Sequence, residues 1–74
     1  MTEIEEIEMR EVVLETFRRC LNRPDLTNES IISPEKQEPI DISWALDKIG
    51  ICYGADLSSL EDREFRIADI LDIL

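Results

Sequence analysis

The spacing of apolar residues predicts a central helix over residues 38–53, around which the other segments are arranged. Its apolar positions recur at steps of three and four, which is the spacing of one face of an amphipathic helix: Ile42, Ala45, Leu46, Ile49 and Tyr53. Pro39 suits the first turn, where a missing backbone N–H costs nothing, whereas Glu38 is a poor cap. Gly54 is a typical helix stop.

Two further helices are predicted, one on each side of the central helix. The first covers residues 2–22, where Thr2 and Glu5 form a capping-box pattern. Its apolar stripe and flanking positions are Met9, Val13, Phe17, Leu21, Val12, Leu14 and Cys20. Its predicted ion pairs are Glu6–Arg10 and Glu15–Arg19.

The last helix is predicted over residues 66–74. Its inward positions are Ile67, Ile70, Leu71 and Leu74, and its outward positions are Asp69 and Asp72. Ser58 and Glu61 repeat the capping-box spacing and predict a short third helix over residues 59–64.

The segment between the first two helices is predicted to be a long, ordered loop. A residue that precedes proline is pushed out of the α region, so Pro24 ends the first helix. Leu26, Ile31 and Ile32 are too apolar to remain in water. The chain of 74 residues therefore predicts one all-α domain over residues 1–74 with four helices, three long and one short.

Charge narrows the range of partners. Eighteen acidic and eight basic residues give a net charge of −10, which disfavours nucleic acid and anionic membranes and favours a basic protein surface. The acidic N-terminus does not have the pattern of a signal peptide, and no apolar run has the length of a bilayer span. Cys20 and Cys52 are interpreted as packed thiols in a reducing cytoplasm, with a single disulfide left open.

The chain offers little for catalysis, and we expect no enzyme activity and no metal site. It contains no histidine, the residue that most often transfers protons near neutral pH, and so neither cysteine has a histidine to activate it. No glycine-rich phosphate loop, zinc-ligand spacing or calcium-loop pattern is present.

Residues 26–53, together with the last segment FRIADILDIL, resemble the acyl carrier protein family. The resemblance implies a small four-helix bundle with a long loop between helices 1 and 2. In that family, Asp-Ser-Leu-Asp begins the second helix, and its serine carries 4′-phosphopantetheine. This chain has Glu38-Pro39-Ile40-Asp41 instead, and Pro39 has no hydroxyl. We therefore expect no prosthetic group at this position.

The resemblance also identifies a candidate partner-binding surface, made of Pro39, Ile40, Asp41, Trp44, Lys48 and Ile51. Trp44, Gly50 and Ile51 stand where the family has glutamates that bind basic partners. Trp44 and Ile51 are seven residues apart and share a helix stripe. Either Trp44 covers the loop 31–37 as part of a small core, or it joins Ile51 and Ile40 in an exposed patch. Gly50 either permits close approach of another backbone or marks a weak last turn.

Two functions follow as hypotheses. In the first, the protein is a non-carrying relative of acyl carrier proteins, linked to fatty-acid or polyketide metabolism. It binds a protein with a basic or apolar docking surface, or a second copy of itself. In the second, it is a working acyl or peptidyl carrier with 4′-phosphopantetheine on Ser43 or Ser33. A third possibility is a four-helix domain that is similar to carriers by convergence alone.

Overall fold

The computed structural model describes residues 3–74 and consists of three α-helices packed around one core. The helices are α1 (Glu3–Leu21), α2 (Pro39–Tyr53) and α3 (Ile67–Ile73), and a 3₁₀ turn covers Ser58–Leu60. The prediction of a small, mostly helical chain is confirmed. The predicted capping role of Thr2 lies outside the described residues.

Helix α1 buries the stripe that its periodicity predicts, with Met9, Val13 and Phe17 in the core. Three more predicted positions are partly buried: Leu14, Cys20 and Leu21. Val12 is a correction, since it is 43% exposed on a neighbouring face of the helix.

The predicted ion pairs of α1 are half right. Arg10 and Glu6 are 3.5 Å apart, as expected for the i,i+4 pair. Glu15 pairs with Arg18 at 2.9 Å and not with Arg19. The reason is that Nε of Arg18 donates a hydrogen bond to the Leu26 carbonyl, which holds this guanidinium at the end of α1.

The loop after α1 contains a short strand, so the chain is not purely α-helical. Strand β1 (Ile31–Ile32) pairs antiparallel with β2 (Phe65–Arg66), which places Ile32 opposite Phe65. Leu26 and Ile32 are buried as predicted, whereas Ile31 is 41% exposed. The backbone N–H of Ala68 donates to the Asn28 carbonyl at 2.9 Å, so the loop also binds the first turn of α3.

The predicted third helix over residues 59–64 is wrong. Asp56 accepts hydrogen bonds from the backbone N–H and the hydroxyl of Ser58, at 3.0 and 2.7 Å, and a single 3₁₀ turn follows. Leu60 is buried, but residues 62–64 are exposed and charged, so a longer helix would bury nothing more. Helix α3 agrees with its prediction: Ile67 and Ile70 are buried, and Asp69 and Asp72 are exposed.

Helices α1 and α2 run antiparallel. Glu8, near the start of α1, lines the same open groove as Cys52 at the end of α2, and Leu21, at the end of α1, lines the same hollow as Pro39. The core between the helices includes an edge-to-face contact of Phe17 with Phe65, whose ring centroids are 5.9 Å apart. None of the helices within residues 3–74 is long and apolar enough to cross a bilayer.

Candidate functional site

Pro39 is the first residue of α2, where the sequence predicts the helix to start. Glu38 precedes it in an extended conformation (φ −65°, ψ 124°), and its side chain makes no capping hydrogen bond. The Glu38 carbonyl accepts the N–H groups of Asp41 and Ile42, at 3.1 and 3.2 Å. Pro39 itself is exposed. Position 39 is therefore a solvent-facing residue at a helix start, and its side chain has no nucleophilic atom.

An open hollow of about 420 Å³ lies beside Pro39, bounded by the end of α1 and by residues 34–39. Arg23 is one of its cations, and its Nε and Nη2 each donate to a carboxylate oxygen of Asp25 at 3.1 Å. These hydrogen bonds raise the pKa of Arg23 and lower the pKa of Asp25. This guanidinium is already paired, which reduces its use for a phosphate group. No cluster of carboxylate or thiol side chains within residues 3–74 could hold a metal ion.

The two serines considered as alternative attachment sites both make hydrogen bonds within the protein. Ser33 is 4% exposed, and its hydroxyl oxygen accepts the backbone N–H of Glu35 at 3.2 Å. The Ser43 hydroxyl donates to Oε1 of Glu61 at 2.9 Å and is partly buried. Neither serine presents a free hydroxyl at the start of α2.

Three large apolar side chains of α2 are exposed: Ile40 (58%), Trp44 (56%) and Ile51 (84%). We call this set the outer stripe. It lies opposite the face of α2 that buries Ile42, Ala45, Leu46 and Ile49. Of the two interpretations of Trp44, the exposed patch agrees with the structure and the covering role over loop 31–37 does not.

An open groove of about 760 Å³ runs between α1 and α2, and we call it the α1/α2 groove. Helix α1 contributes Val12, Thr16 and Cys20 to one wall, and helix α2 contributes Lys48, Ile51 and Cys52 to the other. The α1 side is also lined by charged residues, which we call the rim: Glu8, Glu11, Glu15 and Arg19. Sequence reasoning missed this groove because it assigned Val12 and Cys20 to the flank of the buried stripe.

Both cysteines line this groove as free thiols. The prediction of a packed thiol holds for Cys20, which is partly buried against the core. It is wrong for Cys52, which is exposed because its position on α2 lies beside the outer stripe.

The end of α2 explains Gly50 and corrects the placement of Tyr53. A Cβ on Gly50 would lie 2.6 Å from the Ala55 carbonyl oxygen, so the close approach is by the chain's own backbone after the turn at Gly54. Gly54 has a φ of 65°, as expected for a helix stop. Tyr53 was predicted in the buried stripe but is 38% exposed, because it lies on the last turn. Its remaining burial raises the pKa of the phenol.

The predicted partner-binding residues lie in three neighbouring places. Pro39 and Asp41 line the hollow at the start of α2, the outer stripe runs along its exposed face, and Lys48 lines the α1/α2 groove. Comparison with protein-family models, with curated proteins and with solved structures finds no match for this chain.

Proposed function

We propose that this protein is a non-carrying relative of acyl carrier proteins and acts as a protein-binding module. In this proposal the fold is a carrier-like four-helix arrangement in which the 3₁₀ turn at Ser58–Leu60 takes the place of the short helix. The module works in the cytoplasm beside fatty-acid or polyketide metabolism. The observation that carries the proposal is Pro39, exposed at the first position of α2.

The chemistry of attachment supports a non-carrying role. A phosphopantetheine arm is joined through a phosphodiester, which needs a hydroxyl oxygen to form a bond with phosphorus. The side chain of Pro39 offers only carbon atoms at this position. Ser33 is buried, and Ser43 already donates to Glu61, so both would have to leave their hydrogen bonds before modification.

The surface of α2 supports a binding role. The outer stripe exposes large apolar side chains along one helix face, which is typical of interaction surfaces. The net charge of −10 favours a partner with a basic docking surface. Self-association through the outer stripe is the other form of this proposal.

Intact-mass measurement tests the non-carrying role. We expect no change in mass after incubation with a broad-specificity phosphopantetheinyl transferase and coenzyme A. The gain of one pantetheine arm would contradict the proposal, and peptide mapping of that arm to Ser43 or Ser33 would establish the working carrier instead.

The variant Pro39→Ser is the matched positive control. Position 39 is exposed, so we expect this variant to gain one arm under the conditions in which the wild-type protein gains none. If the variant also gains none, loop 33–37 or the outer stripe blocks the transferase in addition to Pro39.

A further inference from the structure

We infer that the α1/α2 groove binds one amphipathic helix of a partner protein, with lysine or arginine beside the apolar face of that helix. This inference rests on the proposed function, because it treats the chain as a binding module. It adds a site that the sequence does not identify and the chemical class of the partner.

The walls of the groove provide the apolar contact. Val12 on α1 is 43% exposed, and Ile51 on α2 is 84% exposed, so each wall presents an apolar side chain to solvent. Thr16 and the two thiols continue this lining, and Lys48 is the charged side chain of the walls. A groove of this kind accepts the apolar face of an amphipathic helix, whose contacts recur every three or four residues.

The length of the groove matches a single helix. Its α1 side extends from Glu8 to Cys20, about 18 Å at 1.5 Å per residue. A partner helix of about three turns therefore spans the groove from end to end.

The charges of the rim indicate which residue types lie beside the apolar face of the partner helix. Among residues 3–74, Glu8 and Glu11 have no ion-pair partner, and Glu15 is paired with Arg18. The unpaired carboxylates lie at the end of the groove beside the last turn of α2. They favour basic residues on a partner, and the net charge of −10 opposes a second copy.

Two cations in the groove set the direction of the bound helix. Lys48 lies on the α2 wall, and Arg19 lies on the rim, two to three turns along α1 from Glu8 and Glu11. We therefore expect the basic residues of the partner over the acidic end. At the Arg19 end we expect neutral or acidic residues.

The test uses the intact chain and a synthetic peptide of about 14 residues, the length that spans the groove. The peptide has leucine on one helical face, lysine beside that face in the half that lies over Glu8 and Glu11, and glutamine at the other polar positions. A control peptide has glutamate in place of every lysine. Isothermal titration calorimetry measures both affinities. We expect the lysine peptide to bind and the glutamate peptide not to bind.

Substitutions of residues in the groove walls distinguish binding in the groove from nonspecific electrostatic attraction. Val12→Glu and Ile51→Glu each add an acid, which would strengthen any nonspecific binding of a basic peptide. We expect each variant to weaken binding by about tenfold or more, because a charge replaces the apolar contact. Ile4→Glu is the matched control, since Ile4 is 70% exposed on α1 outside the groove. Its affinity should equal that of the wild-type protein.

Two double variants of equal net charge test the charge argument, since four added units change the −10 of the wild-type protein to −6 in each. Glu8→Lys combined with Glu11→Lys should weaken binding several-fold. Asp62→Lys combined with Glu64→Lys makes the same change in charge at exposed positions away from the groove and should have less effect. Equal losses in the two double variants would show general attraction and overturn the inference.

The remaining outcomes distinguish this inference from the proposed function. Absence of binding to the wild-type protein overturns the inference. So does a sedimentation result in which the free protein is a dimer and Val12→Glu makes it monomeric, because a second copy then occupies the groove. Loss of binding in Trp44→Ala with full binding in Val12→Glu assigns the peptide to the outer stripe. That result would refute the groove as the binding site and leave the proposed function intact. A phosphopantetheine arm on the wild-type protein would refute the proposed function itself.

Discussion

Replacement of Ile51 by alanine should leave the free energy of unfolding almost unchanged, although Ile51 is a large apolar residue of α2. Its side chain is 84% exposed, so folding removes only about a sixth of its surface from water. Full burial of an isoleucine side chain stabilises by about 1.5–3 kcal/mol, and a sixth of that is about 0.3–0.5 kcal/mol. Alanine forms helix slightly better than isoleucine, which offsets much of this loss.

Ile49 provides the matched control on the same helix. It is 1% exposed, two residues before Ile51, and the substitution Ile49→Ala removes the same atoms. Such a change in a core costs about 2–5 kcal/mol because it leaves a cavity. A domain of this size has only about 3–5 kcal/mol of stability, so Ile49→Ala should be largely unfolded at room temperature or close to it.

Thermal unfolding followed by circular dichroism measures the contrast. A change of 1 kcal/mol shifts the Tm of so small a domain by about 4–8 °C, so Ile51→Ala should remain within about 2 °C of the wild-type protein. Ile49→Ala should lose its transition or shift it by more than about 10 °C. If Ile51→Ala lowered the Tm as far as Ile49→Ala, Ile51 would be a core residue. The reasoning from the outer stripe and the groove would then fail.

Trp44→Ala should reduce partner capture or self-association much more than it reduces the Tm, because Trp44 is 56% exposed. A large fall in Tm with unchanged association would show that Trp44 belongs to the core. Ser58→Ala should raise the pKa of Asp56, whose carboxylate accepts hydrogen bonds from the Ser58 hydroxyl and backbone N–H. A carboxyl group whose pKa is lower in the folded protein than in the unfolded chain stabilises the fold at pH values above its unfolded pKa. This stabilisation is lost as the pH falls through the folded pKa. Ser58→Ala should therefore lose less stability than the wild-type protein as the pH falls. An Asp56 titration by NMR that is the same in both proteins would contradict this prediction.

The helices follow from the sequence because their signals are local. The steps of three and four in α1 and α2 identify the buried stripes apart from Val12 and Tyr53, and Gly54 ends α2 with the positive φ that glycine adopts easily. The burial of Ile67 and Ile70 in α3 follows in the same way.

The parts that were missed depend on segments distant in the chain. Strands β1 and β2 have two residues each, so they show no alternation, and their pairing joins Ile32 to Phe65, which is 33 residues later in the chain. The α1/α2 groove exists only because Val12 and Ile51 come together when the helices pack. The spacing of apolar residues within either helix does not indicate which exposed residues of α1 and α2 will face each other.

The prediction of a third helix is wrong for a different reason, because the capping-box spacing is present but does not by itself start a helix. Ser58 and Glu61 have the right spacing, yet Asp56 accepts the Ser58 hydroxyl and Glu61 accepts the Ser43 hydroxyl. Both side chains are therefore used elsewhere. A capping box starts a helix only when an apolar face follows it, and residues 62–64 have none.

Acidity and exposed apolar surface have opposite effects on self-association in this protein, and salt separates them. Within residues 3–74, nine large apolar side chains are exposed, a surface that would promote contact between copies. The charge of −10 on each copy opposes that contact. Raising the salt concentration to about 1 M shortens the range of this repulsion to about 3 Å. We therefore expect salt to increase the sedimentation-average mass of the free protein and to weaken its binding of the lysine peptide. If salt changed both in the same direction, charge would not be the property that selects a basic helix over a second copy.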